Sequence, residues 1–197
     1  MKTVYRFFLI MALCAAVASR TGASEAYKFD AAHSSIGFKV HQFLGTTNGK
    51  FSQFSGTIDF DREHPERSSV VSRILVKSID TGIRKRDDHL RSPEFFDVAK
   101  FPEITFKSRS VKQTGQRSGD VLGDLTMHGI TKPITLHVTL ITPLPEQGVP
   151  RRSRWEVTTD PLKRRDFGLM FNRSAEAISG IGQDVSIQIE IEATKSS

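Results

Sequence analysis

Alternation of apolar and polar residues with a period of two runs through most of this chain, and it confines the fold to the β class. The clearest case is Val185, Ile187, Ile189 and Ile191 set against Ser186, Gln188, Glu190 and Glu192. A strand sends successive side chains to opposite faces, so such a run buries one face and wets the other. The same pattern recurs at Ile36–His41, Phe54–Phe60, Ile104–Arg109, Ile134–Ile141 and Trp155–Thr158. Val70–Lys77 is a mixed version with apolar residues on both faces, and Val121–His128 is a short strand. Turn-forming segments separate them: Asp61–Ser69, Gln113–Asp120 and the proline-rich Thr142–Pro150, with Gly129 marking a hairpin. Eight antiparallel strands predict an up-and-down barrel or a two-sheet sandwich. Closure removes the exposed edges that make β-proteins prone to pair with one another.

One stretch breaks the pattern. Between Ser78 and Ser108 lie a charged segment, two adjacent phenylalanines and two prolines. Asp80 and Thr81 are placed to cap a helix that starts near Ile83 and covers Arg84–Leu90. Ser92-Pro93 with Glu94 reads as a second helical start, and Pro102 returns the chain to extended structure. Two-turn helices are not stable alone, so the segment is expected to dock its apolar residues on one end of the barrel.

The first residues belong to a different device. Lys2 and Arg6 precede an uncharged apolar run, Phe7–Ala18, and small residues follow it up to Ala23. This is the layout of a secretory signal, short of the ~20 residues needed to span a bilayer. Residues 1–23 are therefore expected to be removed, leaving 24–197 as a single domain in the periplasm. The only cysteine, Cys14, leaves with the signal, so the exported domain must rely on its core without disulfides. The net charge of +6 also falls. Lys2, Arg6 and Arg20 are lost from 28 basic residues, leaving 25 against 22 acidic ones. That balance describes a mixed solvated surface and argues against nucleic-acid binding.

Catalytic chemistry has weak support. His33, His41, His89, His128 and His137, with Asp30, Asp87 and Asp166, offer acid–base groups. Their spacings match no metal motif, and the chain lacks the G-x-S-x-G, H-E-x-x-H and glycine-rich phosphate-loop patterns. The reading is of a non-enzyme with no metal and no cofactor. Arg86 and His89 are three apart on the helix, so they share a side and are suited to meet a polar or anionic group at a barrel mouth.

A set of ordered motifs narrows the field. They are D-A-A-H-S at Asp30–Ser34, F-K-V-H at Phe38–His41 and G-K-F-S-Q-F-S-G at Gly49–Gly56. S-I-D-T-G at Ser78–Gly82, R-D-D-H-L at Arg86–Leu90, E-F-F-D-V at Glu94–Val98 and F-P-E-I-T-F at Phe101–Phe106 follow. G-D-L-T-M-H-G-I-T-K-P at Gly123–Pro133 and R-D-F-G at Arg165–Gly168 complete the set. In their number and order these motifs resemble the polyisoprenoid-binding YceI-like family of exported bacterial proteins.

The resemblance implies an all-β, eight-stranded antiparallel, lipocalin-like barrel, with the helical insertion between strands 3 and 4. It implies an isoprenoid lipid or quinone held in the lumen and transient membrane contact for lipid exchange. Carriage, storage and scavenging of lipophilic toxins or antibiotics share the same lumen, and the sequence is silent on oligomeric state. Choosing on each strand the face with the larger apolar residues, the lumen is expected to be lined by Phe38, Phe54, Ile58 and Ile74 from the first strands. Leu90, Phe95 and Phe96 are expected to line it from the insertion, and Phe106, Leu125, Leu136, Val138 and Trp155 from later strands. Phe167, Met170 and Phe171 complete the set from the loop before the last strand. A head group is expected near Arg86, Asp87, His89 and Arg165, with a local ion-pair role as the alternative for Asp87.

Overall fold

In the computed structural model, residues 24–42, 45–142, 152–171 and 180–196 are described. Residues 1–23, the expected signal, lie outside them. The chain forms strands β1 (Glu25–Phe29), β2 (Ser35–Gln42), β3 (Gly45–Phe51), β4 (Phe54–Phe60), β5 (Ser69–Leu75) and β6 (Ile79–Asp80). Helix α1 (Arg84–Arg91) follows, then β7 (Glu103–Gln113), β8 (Ser118–Met127), β9 (Ile130–Leu140), β10 (Arg152–Thr159), the short β11 (Leu162–Lys163) and β12 (Asp184–Lys195).

All pairings are antiparallel, and the sheet closes because β12 pairs with β10 on one edge and with β1 and β2 on the other. Four wall positions are each made of two strand pieces: β1 with β2, β3 with β4, β5 with β6, and β10 with β11. Counted this way the barrel has eight strands in meander order. Each of the eight runs read from the sequence falls on a different wall position. The alternation missed β1 and β3, since β3 (GTTNGKF) has almost no apolar residues to alternate.

The first three breaks are adjacent in the wall, and serines repair their hydrogen bonding. At the β5–β6 break, Val76–Ser78 forms a single 3₁₀ turn, so the expected strand ends at Leu75 rather than Lys77. Ser78 Oγ donates to Leu75 O at 2.7 Å and accepts from Gln53 N at 3.0 Å. At the β1–β2 break, Ser34 Oγ donates to Asp30 O at 2.6 Å and accepts from Glu192 N at 2.9 Å. Backbone groups that the ladder abandons at a break are costly unless paired, and these hydroxyls pair them.

Two further irregularities set which residues face inward. A register shift between Ser108 and Ser110 of β7 inserts a bulge, so Val111 joins Ile104 and Phe106 on the inner face despite its odd number. The β8–β9 turn places His128 at φ 52° and Gly129 at φ 75°, the two left-handed residues of a tight hairpin. A Cβ at Gly129 would lie 2.6 Å from the Phe101 ring, so the turn also presses closely on the insertion.

The insertion departs from expectation at both helix starts. Neither Asp80 nor Thr81 caps α1. Asp80 accepts from Gly82 N, while Thr81 donates its N–H and hydroxyl to Asp87. The N-cap position is Ile83, which makes no side-chain cap. The second helical piece is a series of turns. Ser92 O accepts from both Phe95 N and Asp97 N, and Asp97 takes a left-handed φ of 48°, which stops helix propagation.

Candidate functional site

The inner faces enclose a cavity of about 470 Å³. Its wall is overwhelmingly apolar, and the last strand illustrates why. Val185, Ile187, Ile189 and Ile191 all line it, because the period-two pattern sends every second residue inward. The strands that flank β12 do the same, with Ile36, Phe38 and Val40 on β2 and Trp155 and Val157 on β10. A volume of this order falls within the range of small-molecule sites.

One end of the barrel is filled. Tyr27, Trp155, Ile191 and Ala193 form a buried cluster, and Phe60 meets Trp155 edge-on at 5.7 Å. Trp155 Nε1 donates to Ser153 Oγ, and Tyr27 donates to Glu25 at 2.6 Å, so both polar tips are satisfied within the packing. Burial, followed by the hydrogen bond to Glu25, raises the Tyr27 hydroxyl to about 12. Burial pushes Glu25 upward, but hydrogen bonds from Arg62, Lys195 and Tyr27 prevail and hold it at about 2.

The other end is roofed by the insertion. A continuous run of rings crosses it. Phe38 meets Phe51 at 5.6 Å, and Phe51 meets Phe96 edge-on at 6.4 Å. Phe96 meets Phe95 at 5.2 Å, Phe95 stacks on Phe171 at 4.6 Å, and Phe171 stacks on His89 at 5.7 Å. The insertion thus contributes Leu90, Phe95 and Phe96 to the cavity surface and buries all three.

Polar groups gather beside this roof. Arg86 donates from Nε to Thr81 Oγ1 at 2.7 Å, from Nη2 to Thr81 O at 2.9 Å and from Nη1 to Thr47 Oγ1 at 3.3 Å. Gln42 donates to the same Thr47 hydroxyl at 2.9 Å. Arg164 is buried and donates to the carbonyls of Leu169, Gly182 and Ile181, with its guanidinium 5.3 Å from the Phe171 centroid. His89 stands 3.3 Å from Glu94.

Most of the expected lumen residues are on the cavity surface: Phe38, Ile58, Ile74, Phe106, Leu125, Leu136, Val138, Trp155 and Phe171, besides the three from the insertion. Three are placed elsewhere. Phe54 packs between the two apolar clusters of the interior, at the β3–β4 break. Phe167 is buried in the main apolar cluster but off the cavity surface, its carbonyl facing His128 Nδ1 at 3.1 Å. Met170 points outward and is 54% exposed.

Of the head-group set, Arg86 and His89 border the cavity. Asp87 does not. It is buried and accepts from the N–H and hydroxyl of Thr81, so it fixes the loop through these hydrogen bonds rather than through the local ion pair weighed for it from the sequence. Arg165 is exposed, and its neighbour Arg164 takes the inward position. The reason is the 3₁₀ turn Arg164–Phe167, closed by Gly168 at φ 70°. Residues three apart eclipse in a 3₁₀ turn, so Arg164 shares the inner side with Phe167 and Arg165 turns out.

The histidines are dispersed among the described residues. His33 contacts Asp30, His41 contacts Thr46, His64 contacts Glu66, and His137 contacts Asp120. Asp30, His33 and Glu192 bring ligand atoms within 4.8 Å of one another. Arg152 already lies against that group, 2.6 Å from Glu192 and 3.9 Å from Asp30, which makes it an ion-pair cluster.

The description of the YceI-like domain matches residues 27–193 of this chain. The chain belongs to the YceI-like family. Among YceI-like proteins, Protein YceI of Salmonella arizonae is 35% identical over 173 residues, covering 86% of each chain. Two solved structures share the fold. Burkholderia cenocepacia BcnA superposes with a TM-score of 0.75 at 24% identity, over 84% of this chain and 99% of that one. A polyisoprenoid binding domain from Saccharophagus degradans, implicated in plant cell wall breakdown, superposes with a TM-score of 0.64 at 19% identity, over 86% of this chain and 98% of that one.

Proposed function

We propose that this YceI-like protein is an exported binding protein, not an enzyme, that holds a polyisoprenoid chain of quinone or polyprenyl phosphate type in its lumen for carriage or storage. The observation that carries the proposal is the cavity itself: long apolar walls, one end filled by Tyr27 and Trp155, and Arg86, His89 and Arg164 of its lining gathered at the roofed end. An amphiphile with a linear apolar tail and a single polar end has that shape. The binding described for the S. degradans domain of the same fold supports the tail chemistry. Burial of about 500 Å² of tail at ~25 cal/mol/Å² contributes roughly 12 kcal/mol before association and ordering costs. The head group adds far less, so the walls set affinity while the polar end sets orientation. The signal-like residues 1–23 support delivery to the periplasm, where brief contact with a membrane surface would load and unload the lipid.

The test is to purify the protein from the periplasm, identify co-purified lipid by mass spectrometry, and then load delipidated protein with prenyl lipids. A prenyl lipid bound one to one is the expected result. An empty lumen together with no uptake of any prenyl lipid rejects the proposal. Sequencing the N-terminus of the purified protein tests the signal, with a start near Ser24 expected.

A further inference from the structure

We infer that the lumen carries a hydrogen-bonding point part-way down its β5 wall, the hydroxyl of Ser72, and that it accepts a tail oxygenated at that depth, with a carbonyl in place of a methylene. This rests on the lipid-binding reading and specifies the ligand class for it.

Among the described residues, six serine and threonine side chains reach the cavity surface: Thr47, Ser68, Ser69, Ser72, Thr81 and Thr159. Five of these hydroxyls are engaged. At the roof, Thr47 accepts from Gln42 and Thr81 donates to Asp87. Ser68 accepts from Asp61 N, Ser69 donates to Asp59, and Thr159 donates to Asp160 O. Ser72 Oγ alone has no hydrogen-bond partner among the described residues. Nor does the fold call for a hydroxyl there. Ser34 and Ser78 bridge breaks in the wall, whereas at Ser72 the wall is continuous, paired with Gly56 of β4 on one side and Phe106 of β7 on the other. Its neighbours on the inner face of β5 are Val70 and Ile74, and the ring of Phe29 covers Gly56, 2.3 Å from where a Cβ there would lie. Ser72 lies three residues from Leu75, the end of β5 nearest the insertion, which is about 10 Å along the strand.

A tail that fills the lumen strips water from this hydroxyl. A plain hydrocarbon returns nothing for it, and a buried donor left unpaired is costly. A carbonyl at the same depth accepts from Ser72 Oγ and recovers the bond. A carbonyl at other depths meets apolar wall and loses its own hydration without return. The wall therefore discriminates by where the oxygen sits along the chain, as sites that hydrogen-bond a substrate group do. The roofed end fixes one end of the ligand, and Ser72 reads the chain at a set distance from it.

The experiment titrates delipidated protein with geranylgeraniol and with three of its ketones, the carbonyl placed in the second, third or fourth isoprene unit. All four probes share one chain length and one head, so only the presence and depth of the added oxygen change. One ketone is expected to match or exceed geranylgeraniol in affinity, with the other two at least tenfold weaker. Ser72→Ala is expected to bring that ketone down to the level of the other two while geranylgeraniol binds as well as before or better. Retained geranylgeraniol binding also shows that the variant is folded. Three ketones weakened alike in the wild type, three ketones that all bind like geranylgeraniol, or a positional preference that survives Ser72→Ala each overturns the assignment of Ser72. Failure of geranylgeraniol and all three ketones to bind instead removes the lipid-binding reading on which it stands.

Discussion

His89 lies flat on Phe171, the two rings 9° from parallel with centroids 5.7 Å apart. One residue comes from α1 and the other from the loop before β12, so this stack joins the insertion to the opposite wall of the barrel. Through Phe171 it continues to Phe95, Phe96 and Phe51. The roof is therefore an aromatic seam with a polar edge, and its two halves make different predictions.

The apolar half dominates retention. Phe95→Asp is expected to weaken prenyl-lipid retention more than tenfold further than Arg86→Ala does. It removes a buried ring worth about 1.5–3 kcal/mol and sets a carboxylate against the lumen. Native mass spectrometry of loaded protein measures the bound fraction. Equal retention in the two variants would sink the roof interpretation and leave the barrel untouched.

Close packing makes one glycine intolerant. A Cβ at Gly49 would sit 2.2 Å from Cζ of Phe38, which lines the cavity. Gly49→Ala is expected to push that ring toward the lumen, lower stability by about 1–3 kcal/mol and reduce lipid capacity. Denaturant unfolding and lipid titration check the two effects, and full capacity in the variant would show that Phe38 moves elsewhere.

The strand breaks depend on their serines. Ser78→Ala leaves Gln53 N and Leu75 O without their buried partner, for an expected loss of about 1–3 kcal/mol. A change below about 0.5 kcal/mol in urea unfolding would mean that the break re-forms its bonds without the hydroxyl.

Acid should act through Glu25. Its pKa in the folded state, about 2, lies below the ordinary value of 4.5. The folded state therefore favours the ionised form, and the resulting stability is fully present above pH 4.5. It is lost as the pH falls from 4.5 through 2, because the unfolded chain takes up the proton first. Glu25→Gln is expected to lower stability at neutral pH and flatten the decline across that window. Parallel pH profiles for the two proteins would show that another carboxylate controls acid sensitivity.

Strand identity was legible because alternation is a local property. Val185 to Ile191 announces its inward face without reference to any neighbour, and each such run took its own place in the wall. The insertion's role at the barrel end was legible from the crowding of Phe95 and Phe96 beside a helix too short to stand alone. Caps and ends were less so. Thr81, a good capping residue by type, is drawn to Asp87 instead, a choice settled by the folded loop.

By itself the sequence determined eight alternating strands, an apolar face on each and a charged segment at Arg86–His89. It did so through periodicities of two and three residues that the chain carries in every local window. The tertiary structure alone decided where the wall breaks, that the bulge after Ser108 turns Val111 inward, and that Arg164 rather than Arg165 meets the lumen. Those choices are made by hydrogen bonds between residues far apart in the chain, such as Ser78 with Gln53 and Arg164 with Gly182. Such partners come within reach only when the barrel closes.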